Sequence, residues 1–232
     1  MTGNSAQDSA QPLPPAQDLA QRQQLTALAQ KLVSLGLSHG TSGNCSLRQA
    51  EASGFLITPS GLPAEALLPE RMVYMDLAGQ HSATQNPSSE WRFHRDLYLA
   101  RPDAAAIIHV HSTYATTLAC LRRDLPPFHY MIAVAGGDSI RCAPYALFGS
   151  QALSDLVLVA LHERQACLLA NHGLIALGQS LEQALALTIE VESLCQQYLL
   201  ALQAGEPCLL SAAEMSEVLA RFKSYGRQAA GL

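Results

Sequence analysis

Residues 104–112 read Ala-Ala-Ala-Ile-Ile-His-Val-His-Ser, and the organisation of the chain follows from this stretch. Arg101-Pro102-Asp103 stands before it and stops any helix arriving from the N-terminal side. Ile107, Ile108 and Val110 are β-branched, which predicts a buried strand over Ala104–Val110. Side chains alternate across a strand, so positions 109 and 111 point to the same side. Two imidazoles at that spacing can grip one metal ion, although spacing alone leaves open a pair of ordinary histidines. Catalytic zinc commonly takes three protein ligands and keeps a fourth position open. His172 is the candidate third ligand, because Asn171-His172-Gly173 is a tight turn between two strand-like runs. His39, His81, His94, His129 and His162 have no comparable spacing and read as surface or structural, although His94 shares a predicted helix with Glu90.

Working outward, helices and strands interleave along the whole chain. A helix is predicted over Asp18–Leu35, with Leu19, Leu25, Leu28, Leu32 and Leu35 as its apolar stripe. Short strands follow at Cys45–Arg48, Gly54–Thr58 and Met72–Asp76, each bounded by Gly, Pro or Asp. A helix begins at Ser88-Ser89 and runs to Ala100, and another covers Tyr114–Arg122. Strands are expected near Tyr130–Val134 and Ile140–Ala143, a helix over Ser150–Glu163, and strands at Ala166–Ala170 and Leu174–Leu177. Ser180 with Gln183 and Ser211 with Glu214 are capping-box signatures that open two late helices. The connections between strands are short. The predicted fold is therefore a single α/β domain with a largely antiparallel central sheet flanked by helices. Residues 1–16, rich in Gln, Ala, Ser and Pro, read as a disordered leader, and 17–232 as the catalytic domain.

Composition narrows the function. Hydrophobic residues are 49% of the chain and charged residues 14%, which predicts much buried surface, subunit interfaces included. Net charge is −5 and no run of Lys or Arg offers a phosphate-backbone footprint, so nucleic acid is not an expected partner. No apolar run reaches the roughly 18–20 residues of a membrane span, and the start lacks the pattern of a secretory signal. Six scattered cysteines without a C-x-x-C pair fit buried thiols in a reducing cytoplasm.

An anion site is also legible. Free N–H groups and the macrodipole make a helix start such as Ser88-Ser89-Glu90 a natural place for phosphate. Gly43-Asn44 and Ser60-Gly61 are small polar turns whose backbone can approach an anion closely. A plain N-cap at Ser88 is the alternative.

Taken together, these residues resemble the class II aldolase/adducin family from about Leu25 to Gly226. The matching stretches are GTSGNCSLR (40–48), ITPSGLP (57–63), PSSEWRFH (87–94), HVHS (109–112), FHYMIAVAGG (128–137), CAPYALFG (142–149), NHGLIA (171–176) and FKSYG (222–226). The resemblance implies a zinc enzyme, with another divalent metal as the alternative. It would cleave a ketose 1-phosphate reversibly to dihydroxyacetone phosphate and a short aldehyde. It implies His109, His111 and His172 as zinc ligands, and Glu90 as a residue that touches the zinc at rest and carries protons in catalysis. Gly43, Asn44, Ser60, Gly61, Ser88 and Ser89 match phosphate-binding loops. Tyr130 matches a general acid reaching a neighbouring subunit's site, Tyr225 a tyrosine on a mobile C-terminal tail, and Phe148 and Phe222 aromatic residues at the aldehyde end. A homotetramer with active sites between subunits is implied too. The same scaffold carries methylthioribulose-1-phosphate dehydratase and pentulose-phosphate 4-epimerase chemistry, and non-enzymatic adducin-like modules. Two departures stand out: Asn171 replaces a second histidine, and residues 1–16 have no counterpart.

Overall fold

The computed structural model describes residues 16–49 and 54–222, and places the strand bearing His109 at the centre of one sheet. The strands are β1 (Asn44–Arg48), β2 (Gly54–Ile57), β3 (Val73–Asp76), β4 (Ala106–Val110), β5 (Cys142–Ala143), β6 (Ala166–Leu169) and β7 (Gly173–Gly178). Their spatial order is β3-β2-β1-β4-β7-β6-β5, and every neighbouring pair is antiparallel except β5–β6. The largely antiparallel sheet expected from the short connections is the one observed.

Both faces of the sheet are buried, and the two-residue period divides them. Ala106, Ile108 and Val110 point into one core with Leu56, Leu168, Leu174 and Ala176. Helices α1 (Ala16–Ser34), α3 (Thr113–Cys120), α5 (Leu181–Ala204) and α6 (Ala212–Phe222) contribute to that core. Ile107 points the other way, with Phe55, Ile57, Ile175 and Leu177. That face is covered by α2 (Trp91–Ala100) and α4 (Gln151–Ala160) through Phe93, Leu97, Leu153 and Val157. His109 lies on this second face with no solvent exposure, its ring edge 5.5 Å from Phe93 by centroids.

Several local expectations change. The apolar run Tyr130–Val134 is not a strand but part of a 3₁₀ helix, Tyr130–Ala135. His129 Nδ1 accepts from the Met131 N–H, and Gly136 closes the turn in a left-handed conformation, so the local caps decide against pairing. Helix α2 begins at Trp91, not at Ser88-Ser89. The Ser88 N–H is already bonded to Thr58 O beside the Pro59–Pro87 bridge, which keeps the chain extended. In α1, Leu25, Leu28 and Leu32 are buried but Leu19 is exposed, and Leu35 lies exposed just past the helix end, so the stripe is shorter than the leucine spacing suggests. Of the two late capping boxes, Ser211 and Glu214 cap each other, whereas Ser180 Oγ accepts from Gln183 N but Gln183 Oε1 accepts from Gln179 N in place of Ser180 N. The leader expected at 1–16 lies outside the described residues, apart from Ala16, which opens α1.

Candidate metal centre and substrate cavity

Three separate connections bring the centre together. Strand β4 delivers His109 and, just past its end, His111. The β6–β7 turn delivers His172. It needs Asn171 in a left-handed conformation (φ 55°), and a bond from His172 N to Leu169 O closes it. The next residue must be glycine, since a Cβ at Gly173 would run into Val110 O and come within 2.9 Å of His111 Cδ2. Glu90 arrives from the other side as the residue preceding α2.

The ligand atoms of Glu90, His109, His111 and His172 all lie within 4.8 Å of one another. Glu90 Oε2 is 3.1 Å from His109 Nε2, and Oε1 is 3.2 Å from His172 Nε2. His109 and His111 bring their Nε2 atoms to 2.9 Å. His109 Nδ1 is 3.0 Å from Leu174 O. A carbonyl can only accept, so Nδ1 carries the proton and Nε2 presents its lone pair to the cluster. Burial, with the neighbouring His109 and His172, pushes His111 down to about 4 against the pull of Glu90, which keeps it a neutral donor near pH 7. Burial disfavours the charge on Glu90, but His109 and His172 outweigh it and hold the carboxyl well below the usual range. Glu90 Oε1 is buried and takes no hydrogen bond. An orphaned carboxylate oxygen beside three converging imidazole nitrogens is the donor set of a divalent-cation site.

Behind the cluster the polar groups continue. Asn44 Nδ2 donates to Glu90 Oε2 (2.9 Å), and its Oδ1 is 2.6 Å from His94 Nε2. His94 Nδ1 meets Ser46 Oγ (2.7 Å), which meets Tyr98 Oη (2.8 Å). His94, fully buried, is pushed down to about 3 by burial and then by His109, partly offset by Glu90. The sequence reading left it as structural, and its only visible signal was the shared helix with Glu90.

In front of the cluster is a cavity of about 320 Å³. Gly43, Asn44, Ser60, Gly61, Ser88, Ser89, Glu90, His111, His172 and Phe148 line it, so turns far apart in sequence meet at one opening. Thr41, Ser42, Pro59, Tyr145, Ala146 and Asn171 line it as well. Thr41 and Ser42 stand beside the quoted Gly43-Asn44 turn, a signal that could have included them. The Ser60 and Ser88 N–H groups are bonded to Asn86 O and Thr58 O and so are not free for an anion, and Ser88 Oγ accepts from Glu90 N at 3.3 Å. The Asn44 side chain is held by Glu90 and His94. Gly43, at φ 78°, lies so close to the strand that a Cβ would meet His109 O at 2.8 Å. Asn171 Oδ1 accepts from Arg122 Nε at 2.8 Å. Tyr130 is half exposed on the 3₁₀ helix and does not line this chain's cavity. Phe222, at the end of α6, packs against the first core, away from this chain's cavity. Tyr225 lies outside the described residues.

A larger opening of about 550 Å³, lined by Met131, Val134, Leu187 and Glu190 among others, holds none of the four clustered residues. The smaller cavity is the one with the chemistry.

Comparison with known proteins agrees with this geometry. Residues 23–199 match the family described as Class II Aldolase and Adducin N-terminal domain. The 5-methylthioribulose-1-phosphate/5-deoxyribulose-1-phosphate aldolase of Rhodospirillum rubrum is 48% identical over 215 residues, covering 93% of this chain and 96% of that protein. The L-fuculose phosphate aldolase of Escherichia coli is 49% identical over 197 residues, covering 84% and 91% respectively. A solved L-fuculose 1-phosphate aldolase superposes with a TM-score of 0.84 at 42% identity, over 88% of this chain and 96% of that one. Family match, fold and clustered ligands agree: the chain belongs to the class II aldolase/adducin family, as an enzyme of its metal-dependent, carbon–carbon-cleaving aldolase class.

Proposed function

We propose that the chain cleaves a ketose 1-phosphate reversibly into dihydroxyacetone phosphate and a short aldehyde with an apolar end. The observation that carries this is the one cavity lined both by Glu90, His111 and His172 of the metal-ligand cluster and by Ser60, Ser88, Ser89, Tyr145 and Phe148. Two relatives whose names specify phosphorylated ketoses support the substrate class.

His109, His111 and His172 would hold the metal, with Glu90 as a ligand that substrate can displace. Zinc suits three imidazoles and a carboxylate. When bound, the ion supplies Lewis-acid stabilisation of the negative charge that develops on the substrate's carbonyl side. Gly43, Asn44, Ser60, Gly61, Ser88 and Ser89 seat the phosphate, and Phe148 flanks the aldehyde, with Phe222, packed away from this chain's own cavity, reaching that end from a neighbouring copy. In cleavage Tyr130 as phenolate takes the C4 hydroxyl proton, the C3–C4 bond breaks, and Glu90, having taken up a proton, returns it to C3, which leaves Tyr130 protonated and Glu90 ionised. In synthesis Glu90 removes the C3 proton, and Tyr130 protonates the new alkoxide.

Tyr130 would come from a neighbouring copy, which its exposure outside its own cavity supports. Tyr225 would close from the C-terminal tail. The assembly is then a homotetramer with sites between subunits. Residues 17–232 act as the catalytic unit, and 1–16 as a leader outside it. All six cysteines are free, which fits a cytoplasmic enzyme.

The test is product analysis. Metal-loaded protein is given L-fuculose 1-phosphate and 5-methylthioribulose 1-phosphate separately, and the products are identified by NMR. Dihydroxyacetone phosphate from either supports the proposal. A dehydrated or epimerised ketose phosphate with no fragments overturns it.

A further inference from the structure

His94 and Tyr98 stand four residues apart on the inner face of α2, and Glu90, four before His94, is the N-cap residue of that helix. Asn44 and Ser46 are two apart on β1 and face the same side. The helical and strand periods meet there, interleaving the two sets as Tyr98–Ser46–His94–Asn44–Glu90 with contacts of 2.8, 2.7, 2.6 and 2.9 Å. All five residues are buried, so no water competes for these groups.

The order of donors is forced. Glu90 can only accept, so Asn44 must offer Nδ2 and turn Oδ1 away. Oδ1 then needs a donor, so His94 carries its proton on Nε2. His94 Nδ1 is left an acceptor, the Ser46 hydroxyl donates to it, and Tyr98 donates to Ser46. The opposite histidine tautomer would invite the Asn44 amide to flip and set oxygen against oxygen at Glu90.

We infer that His94 is a positioning residue: through Asn44 it fixes the orientation in which Glu90 carries the C3 proton. This rests on the proposed role of Glu90. Ser46 and Tyr98 serve by fixing the tautomer of His94, and none of the three lines the substrate cavity.

The experiment compares the metal-loaded parent with His94→Phe, His94→Gln, Ser46→Ala and, as a control, Asp96→Asn. Asp96 sits on α2 but binds Ser154 and Gln151 of α4, outside this chain of contacts. The readouts are metal per chain, KM for dihydroxyacetone phosphate, and exchange of its C3 proton with deuterated water without aldehyde. His94→Phe should keep metal and KM while slowing exchange about 10- to 100-fold, the usual effect of removing a group that orients a metal-site residue. Ser46→Ala should slow it less, and His94→Gln, which keeps a donor, should recover part of the rate. Asp96→Asn should lower stability without slowing exchange. If His94→Phe does not fold, Ser46→Ala decides by the same readouts. Parental exchange in the folded variants overturns the inference, as does equal slowing in Asp96→Asn or metal loss in step with exchange. A parent that exchanges no proton overturns the aldolase reading itself, and this inference with it.

Discussion

Helix α3 starts immediately after the metal-site strand, and its cap comes from far away. Its N-cap residue, Ser112, makes no side-chain cap bond within the helix. The Glu192 carboxylate of α5 instead accepts from Ser112 Oγ (2.6 Å), Tyr114 N (2.8 Å) and Ala115 N (2.8 Å). Glu192→Ala removes both acceptor oxygens, and with them all three hydrogen bonds, at once. The fully buried Ser112 hydroxyl loses its partner, which costs about 1–3 kcal/mol. Loss of a helix cap costs about 1 kcal/mol and loss of a favourable charge at the dipole about 0.3–1 kcal/mol. Together these predict a loss of about 3 kcal/mol, or a drop in Tm of roughly 6–12 °C for a chain of this size. Glu192→Gln, which keeps one acceptor oxygen, should lose about half as much. Urea unfolding at one fixed protein concentration measures this, because assembly makes stability concentration-dependent. Because Ser112 follows His111, Glu192→Ala should also weaken metal retention. A midpoint within about 0.5 kcal/mol of the parent, at unchanged slope, would refute the cap.

Three further outcomes follow. Ser89→Ala should raise KM for phosphorylated substrate by about 10- to 100-fold, the worth of one hydrogen bond to a charged group, with kcat less affected; equal KM for the unphosphorylated ketose and its phosphate in the parent would contradict a phosphate seat. Gly173→Ala, which drives a Cβ into the Val110 carbonyl and the His111 ring, should lower both stability and metal content; a fully metallated, equally stable variant would contradict the packing described. Burial, and then His109, push folded His94 down to about 3 against the pull of Glu90, from near 6.5 when unfolded, so the unfolded chain takes up its proton first as pH falls. Stability from this group is complete above about pH 6.5 and is lost progressively as pH falls toward 3. Urea midpoints from pH 7 to 4 should fall more steeply for the parent than for His94→Phe, and identical slopes would count against it.

What was legible in the sequence was what repeats locally. The two-residue period put His109 and His111 on one side of a strand, and the Asn-His-Gly turn marked His172. Ser180–Gln183 and Ser211–Glu214 carried their caps within four residues. The resemblance supplies expected roles that spacing does not, for Glu90 above all. What escaped depends on partners distant along the chain. His94 meets Asn44 and Ser46 across about fifty residues, and only the register of β1 under α2 joins them. Glu192 meets Ser112 across eighty. Tyr130–Val134 was misread because its apolar side chains fit a strand equally well, while His129 and Gly136 supply caps that no periodicity count weighs. The start of α2 was set too early because Ser88 is tied to Thr58 O, a contact between two loops.

In the proposed reaction one divalent ion per chain, held by the histidine cluster, is needed for cleavage of a ketose 1-phosphate. The most direct measurement is release of dihydroxyacetone phosphate by chelator-stripped protein during stepwise addition of Zn²⁺. The account predicts no release from stripped protein, a linear rise that breaks at about one ion per chain, and no rise for His109→Ala. Undiminished cleavage by the stripped protein, or full recovery of His109→Ala at the same endpoint, would contradict it.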